Sequence, residues 1–238
     1  FYSLMWVQMI FTEKKFPRID SAIEFEERLR ISVAHQITYR DLIFDPENLE
    51  LNSFYQQIGA FYSQAKNIVG KTELILFHSG DAAYSTRDLA YLYAFGIAAG
   101  GGRVCLLDSI QIGNWEFFGQ LDRGLSLGLI EMINGKCDLK DSVYGTEFHN
   151  LFVSPLNTEL RISKSKSDEN VGAQWDSKFD KIVFADSDLL ADDILDFFNS
   201  HRVVIYYMVS SGDLRQDIEK DIAAFRAKNA EVKIIFKK

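Results

Sequence analysis

The chain has 238 residues, 47% hydrophobic and 25% charged, with a net charge of −8. That composition suits one large globular unit able to bury its own core, and it excludes a broad nucleic-acid-binding face. Two cysteines, Cys105 and Cys137, supply no disulfide framework and fit a reducing compartment, and with three prolines and no low-complexity tract the chain does not read as disordered.

Residues 1–11, FYSLMWVQMIF, are apolar but reach only about half the ~20 residues of a membrane span. Three readings stand: a core strand or helix, a partner-binding segment, or the tail of a membrane helix whose cytoplasmic flank is Glu13, Lys14, Lys15 and Arg18. Phe rather than Met stands first, which fits a chain cut from a larger protein or processed. A charged-then-apolar leader with a small-residue cleavage site is not seen.

Residues 1–50 read as an adaptor segment with a juxtamembrane position as one option, and 51–238 as the main domain. Within the adaptor, Asp20 or Ser21 caps a short helix, with Glu24 placed for a capping box and Ala22, Phe25 and Leu29 inward. ISVAHQITY (31–39) alternates as a strand, and His35 within it reads as a structural histidine. DPEN (45–48) is a turn. The next helix spans 49–67, with Leu51, Phe54, Ile58, Phe61 and Ala65 at helical spacing and Tyr55 and Tyr62 beside the stripe.

The stretch 74–108 organises the rest. TELILFH (72–78) is a buried strand, followed by a loop at 79–84 and a helix from Ser85 to about Ala99. Leu89, Leu92, Tyr93, Ala94 and Ile97 cover one face of that helix, and Gly100, Gly101 and Gly102 stop it. RVCLLD (103–108) is a second apolar strand, with Cys105 a small core residue and Asp108 at its end. Two apolar strands joined through a helix in this span form a parallel crossover. The loop stands where a phosphate-cradling loop belongs, and Ser85 and Thr86 follow it. A hydroxyl at a helix start also caps orphan N–H groups with no nucleotide involved.

Beyond it, WEFFGQL (115–121), GLSLGLIEMI (124–133) and DLKDSVY (138–144) read as short helices, and NLFVSPL (150–156) as a strand ending at Pro155. Residues 157–172 read as an exposed loop, with Arg161, Lys164 and Lys166 a solvated face. FDKIVFAD (179–186) is a strand with an acidic end, LLADDILDFFN (189–199) a helix, and HRVVIYYMVS (201–210) a strand. A helix over 211–230 turns Ile218, Ile222 and Phe225 inward, and EVKIIF (231–236) closes the sheet. The pattern predicts an α/β fold, a doubly wound, mostly parallel sheet with helices on both faces.

Several segments, in order, resemble the cytoplasmic kinase-like domain of bacterial tyrosine autokinases and polysaccharide co-polymerases, in the MinD/ParA-like group of P-loop proteins. IDSAIEFEERLRISVAHQI resembles the family's adaptor, RVCLLDSI its strand ending in Asp-x-Asp, and GLSLGLIEMINGKCDLKDSV with NLFVSPL its Gly-Leu-Ser segment and following strand. FDKIVFAD and RVVIYYMVSSGDLRQDIEKDIAAFRAKNAEVKIIF resemble the later elements. The resemblance covers roughly 12–236, and the order of segments carries it. It implies a P-loop NTPase-like fold, a cytoplasmic location at the inner face of the plasma membrane, and a membrane co-polymerase or export machinery as partner. Homo-oligomerisation is a further option. In such a domain Ser85, Thr86, Asp108 and Asp186 would be the residual nucleotide-binding positions.

The departures fall on the chemistry. In Ser79-Gly80-Asp81-Ala82-Ala83-Tyr84, Asp81 repels phosphate and Tyr84 replaces the lysine. Ile110 stands where the family's second carboxylate belongs, and Ala185 where its metal-organising Asp belongs. Asp186 or Asp188 compensates only if a bulge intervenes. The family's tyrosine-rich tail is missing after Lys238, and NSFYQQI (52–58) lacks the arginine of the oligomerisation segment. Phosphoryl transfer depends on positioning and charge neutralisation, so these losses predict a degenerate, pseudokinase-like domain with no catalytic residue, no metal site and no cofactor. The alternative is a divergent ATPase or tyrosine autokinase using ATP and Mg, with a cation from Arg87, Arg103 or Arg123. A receiver-like domain with Asp108 as phospho-acceptor is a third reading.

Overall fold

The computed structural model describes residues 21–30, 32–38, 43–45, 47–64, 72–79, 86–109, 118, 127–157, 174–175, 177–185, 201–210, 213 and 215–237. Within these, eight strands form one sheet in the order β1-β8-β7-β2-β6-β3-β5-β4. They are β1 (Val33–Ile37), β2 (Glu73–Ser79), β3 (Val104–Ser109), β4 (Tyr144–Gly145), β5 (Leu151–Leu156), β6 (Lys181–Phe184), β7 (Arg202–Ser210) and β8 (Glu231–Lys237). All neighbours run parallel except β4 and β5. The helices are α1 (Ala22–Leu29), α2 (Ser53–Gln64), α3 (Thr86–Ala99), α4 (Leu129–Ile133), α5 (Leu139–Ser142) and α6 (Arg215–Ala227).

Both faces of the central strands are apolar, so both need cover. Val104 and Leu106 of β3 join Ile75 and Phe77 of β2 in the core beneath α2 and α3. Cys105 and Leu107 point the other way, into a core with α4, α5, Trp175 and Phe179. α1 and α6 cover the same second face over β7 and β8. This is the doubly wound arrangement that the apolar runs predict.

The adaptor segment is part of this sheet from α1 onward. Ala22 and Phe25 are buried, and β1 lies in parallel register on β8, with Val33 opposite Ile234. His35 in β1 packs edge-on to Phe54 and has Nδ1 3.3 Å from Gln57 Oε1; burial lowers its pKa, as suits a structural histidine.

Three details differ from the expectation. The segment 49–64 is a 3₁₀ turn (Leu49–Leu51) and then α2, because Asn52 Oδ1 accepts the Tyr55 N–H at 3.0 Å and starts the α-helix there. Leu51 is therefore outside the helix stripe and exposed, while Phe54 and Ile58 are buried. α3 is buried on every side from Leu89 to Ala98 rather than on one face, because Phe44, Phe118 and Phe148 form an aromatic layer over Tyr91 and Phe95. Tyr144–Gly145 at the end of the predicted helix 138–144 is the antiparallel strand β4. The glycine stop of α3 is as expected. Gly101 takes φ 91°, and the Gly101 and Gly102 N–H groups bond the Ala98 and Ile97 carbonyls, which only a residue tolerant of the left-handed region permits.

The predicted segments 1–11 and 189–199, the segment 115–121 apart from Phe118, residues 124–126 of the segment 124–133, and the loop 157–172 apart from Asn157 lie outside the described residues. Among the described residues no helix is long and apolar enough to cross a membrane.

At the amino edge of the sheet, Glu73 accepts ion pairs from Lys181 and Arg202, and Arg202 also pairs with Glu231. Burial pushes the Glu73 carboxyl up, but Lys181, Arg202 and Lys233 outweigh it and hold the group below its usual 4.5. A depressed carboxyl pKa gives stability at neutral pH that is lost as pH falls through the folded value. Glu73→Gln is therefore expected to cost on the order of 1–3 kcal/mol in urea melts at about pH 7, and progressively less as pH falls through the folded pKa of Glu73.

Candidate functional site

In an open parallel sheet, ligands sit at the carboxyl ends of strands where successive helices leave for opposite faces. Here β2 feeds α3 on one face and its neighbour β7 feeds α6 on the other. The carboxyl edge at that place presents Ser79, Asp108 with Ser109, Ala185 and Ser210. Thr86, half-buried, opens α3 at the same edge.

Asp108 is the charged centre of this edge, and it is closed. Its solvent exposure is 0%. Oδ1 accepts the Arg87 Nε–H at 3.2 Å and the Ser109 N–H at 2.7 Å, while Oδ2 accepts the Tyr91 hydroxyl. Arg87 and Tyr91 are four residues apart on α3, so one helical turn aims both donors at the same carboxylate. The Tyr91 ring is held edge-on by Phe44 and Phe118, with centroids at 5.3 and 5.4 Å. Burial pushes the Asp108 carboxyl up, and the Tyr91 hydroxyl, the Arg87 charge and the Ser109 N–H oppose that rise. Arg87 is not fully satisfied, since its Nη2 is buried with no hydrogen-bond partner.

The floor around Asp108 is filled. Ala185 is fully buried, donates its N–H to the Leu107 carbonyl at 2.9 Å, and lies in the same core face as Leu106. At the end of β6, next to the end of β3, the chain therefore places a methyl group and not a carboxylate. On the other side Asp108 is in register with Pro155. A Cβ on Gly128 would stand 1.8 Å from the Pro155 carbonyl oxygen, so only glycine lets α4 start there. Glu131 Oε2 turns back to accept the Gly128 N–H at 3.0 Å. Gly128, which follows the Gly-Leu-Ser segment singled out in the sequence, thus abuts Pro155 of the strand ending Ser-Pro-Leu, the register partner of Asp108.

Of the positions named as residual nucleotide ligands, Thr86 and Asp108 stand at this edge, and Ser85 and Asp186 lie outside the described residues. So do Asp81, Tyr84, Ile110, Arg123 and Asp188. Arg103 is not a candidate cation for this edge. It precedes β3 at the opposite end of the sheet, where its N–H bonds Asp180 at 2.8 Å and its guanidinium lies 5.3 Å from the Phe152 ring centre. Arg87 is on the correct edge but is bound to Asp108. Tyr91 is not among the sequence candidates; its spacing of four from Arg87 is the one signal that could have found it.

A magnesium ion needs open carboxylate oxygens with room for water. Both Asp108 oxygens are engaged and the residue exposes no surface, so Asp108 does not fit such an ion. No cluster of three His, Cys, Asp or Glu suited to a metal occurs among those residues. The same closure tells against a phospho-acceptor role, which requires an exposed carboxylate. An open groove of about 400 Å³ lies elsewhere, between α1 and α6, lined by Leu29, Glu219, Ile222, Ala223 and Arg226.

No protein-family profile and no curated protein sequence matches the chain. Solved structures do match in fold. The kinase domain of Escherichia coli tyrosine kinase ETK superposes with a TM-score of 0.64 at 14% identity, over 92% of this chain and 92% of that one. The BceF tyrosine kinase domain gives 0.60 at 16% identity, over 92% and 98%. The Pyrococcus furiosus cell division ATPase MinD gives 0.50 at 16%, over 67% and 69%. The chain therefore has the P-loop NTPase-like α/β fold of bacterial tyrosine kinase domains and MinD-type ATPases, the fold that the sequence resemblance implied.

Tyr91→Phe keeps the ring packing and removes the donor to Asp108. It is expected to lower the unfolding free energy by about 1–3 kcal/mol in urea denaturation at pH 7.

Proposed function

We propose that this chain is a kinase-like domain without kinase chemistry, acting through protein interactions in exopolysaccharide or capsule assembly and export. One observation carries the reading: the carboxylate at the end of β3, Asp108, is buried and spent on Arg87 and Tyr91. The sequence supports it independently, since Asp81, Tyr84, Ile110 and Ala185 replace small, cationic or acidic residues that phosphoryl transfer uses. The partner in this reading is a membrane co-polymerase or export machinery, with the domain at the inner face of the membrane. The basis is the resemblance of segments over 12–236 and the shared fold with tyrosine kinase domains.

The alternative, a divergent ATPase or tyrosine autokinase with a non-standard phosphate loop, has one observation in its favour. Arg87 Nη2 is buried without a partner at the start of α3, and an anion reaching it would satisfy it.

Calorimetric titration with Mg-ATP and an autophosphorylation assay separate the two. The proposal expects a Kd weaker than about 1 mM and no phosphotyrosine. Micromolar binding with turnover that disappears in Arg87→Ala would establish the alternative instead.

A further inference from the structure

We infer that Arg87 is the resident counter-ion of Asp108: a cation built into α3 that takes the place of a divalent metal ion at the carboxyl edge, making the domain's stability indifferent to metal and nucleotide. The inference rests on the non-catalytic reading and assigns a specificity role to a residue of the same site.

A carboxylate ending a central strand beneath a helix start has to be neutralised, because an isolated buried charge is too costly to keep. Metal-dependent sites do this with a bound ion. In this chain the compensation comes from one turn of helix. Arg87 supplies the positive charge through Nε at 3.2 Å, and Tyr91 and the Ser109 N–H supply the remaining donors. The three donors cover both oxygens and Asp108 exposes no surface, so the ion and the arginine compete for one place.

The contact is single-point. Nε, not the paired Nη groups, meets Oδ1, and Nη2 is left over. A guanidinium positioned for a bidentate bond would satisfy more of its donors. Arg87 thus acts as a positive charge directed at Asp108, which is the part of a metal ion's role that charge alone fulfils. Truncating it leaves both a negative charge and the space of a guanidinium at the strand end, the two requirements of an ion site.

The test is thermal denaturation of the chain in EDTA and in millimolar Mn²⁺, for the wild type, Arg87→Ala, Arg87→Lys, Asp108→Asn and the Arg87→Ala/Asp108→Asn pair. The wild type and Arg87→Lys are expected to melt within about 1 °C in the two conditions. In EDTA, Arg87→Ala is expected to lose about 6 °C or more, since it strands a buried charge. Mn²⁺ should then restore several degrees to Arg87→Ala and none to the double variant, whose loss in EDTA should be smaller than the sum of the single losses. A merely structural arginine would give the destabilisation without the manganese response. If Arg87→Ala does not fold, Arg87→Gln makes the same comparison with better-matched volume.

The inference is overturned if Mn²⁺ raises the wild-type melting temperature through Asp108, if the Arg87 variant ignores Mn²⁺, or if the two losses simply add. These outcomes are distinct from failure of the proposed function. Mg-ATP turnover by a wild type that still shows the Arg87–Asp108 coupling would remove the non-catalytic reading and leave the counter-ion in place.

Discussion

The buried contact between Asp108 and one turn of α3 is the constraint on which the carboxyl edge of this protein depends. β3 is covered on both faces, so its last carboxylate cannot reach water. It is retained because Arg87 and Tyr91 meet it from the helix that β2 feeds into the same face. The contact ties the central crossover together at its open end, where a nucleotide-binding sheet would otherwise be closed by its ligand. Removing either partner leaves a charge without compensation, which is why such pairs are costly to break even when they add little net stability.

At the amino end of the sheet a second charge arrangement follows opposite logic. Glu73, Lys181, Arg202 and Glu231 sit on successive strands at partly exposed positions, and each carboxylate pairs with a cation from a neighbouring strand. There burial is outweighed by Lys181, Arg202 and Lys233, which hold Glu73 below its usual pKa, whereas burial of Asp108 outweighs Tyr91 and Arg87 and pushes it above its own. One sheet therefore carries a solvated ion network at one end and a dehydrated pair at the other.

Much of this architecture was legible in the residues. TELILFH, RVCLLD, NLFVSPL, HRVVIYYMVS and EVKIIF are apolar runs of strand length, and each is a strand. The glycine stop after α3 and the inward Ile218 and Ile222 of α6 were equally plain. What periodicity could not give was the partner of each run. That β1 lies on β8, or that β6 inserts between β2 and β3, is decided by packing between residues far apart in the chain. β4 is two residues long, too short to leave an alternation, and it was read as the end of a helix. Leu51 was placed on a helix stripe because spacing is blind to the Asn52 cap that starts the helix after it.

The site was legible in its losses more than in its contacts. Ala185 at the end of β6 follows from the alignment of one strand, and the structure places that methyl on the core face of Leu106. The pairing of Arg87 with Asp108 was not foreseen. In the divergent-kinase reading Arg87 is one of three arginines offered as a cation for phosphate, because a helix-start arginine and a strand-end aspartate 21 residues apart give no local signal of contact. The most direct measurement is paramagnetic broadening in the NMR spectrum of the labelled chain on addition of Mn²⁺ with ATP. The account predicts that the Asp108 and Ser109 amide resonances keep their linewidths; selective broadening of those two at stoichiometric Mn-ATP would contradict it.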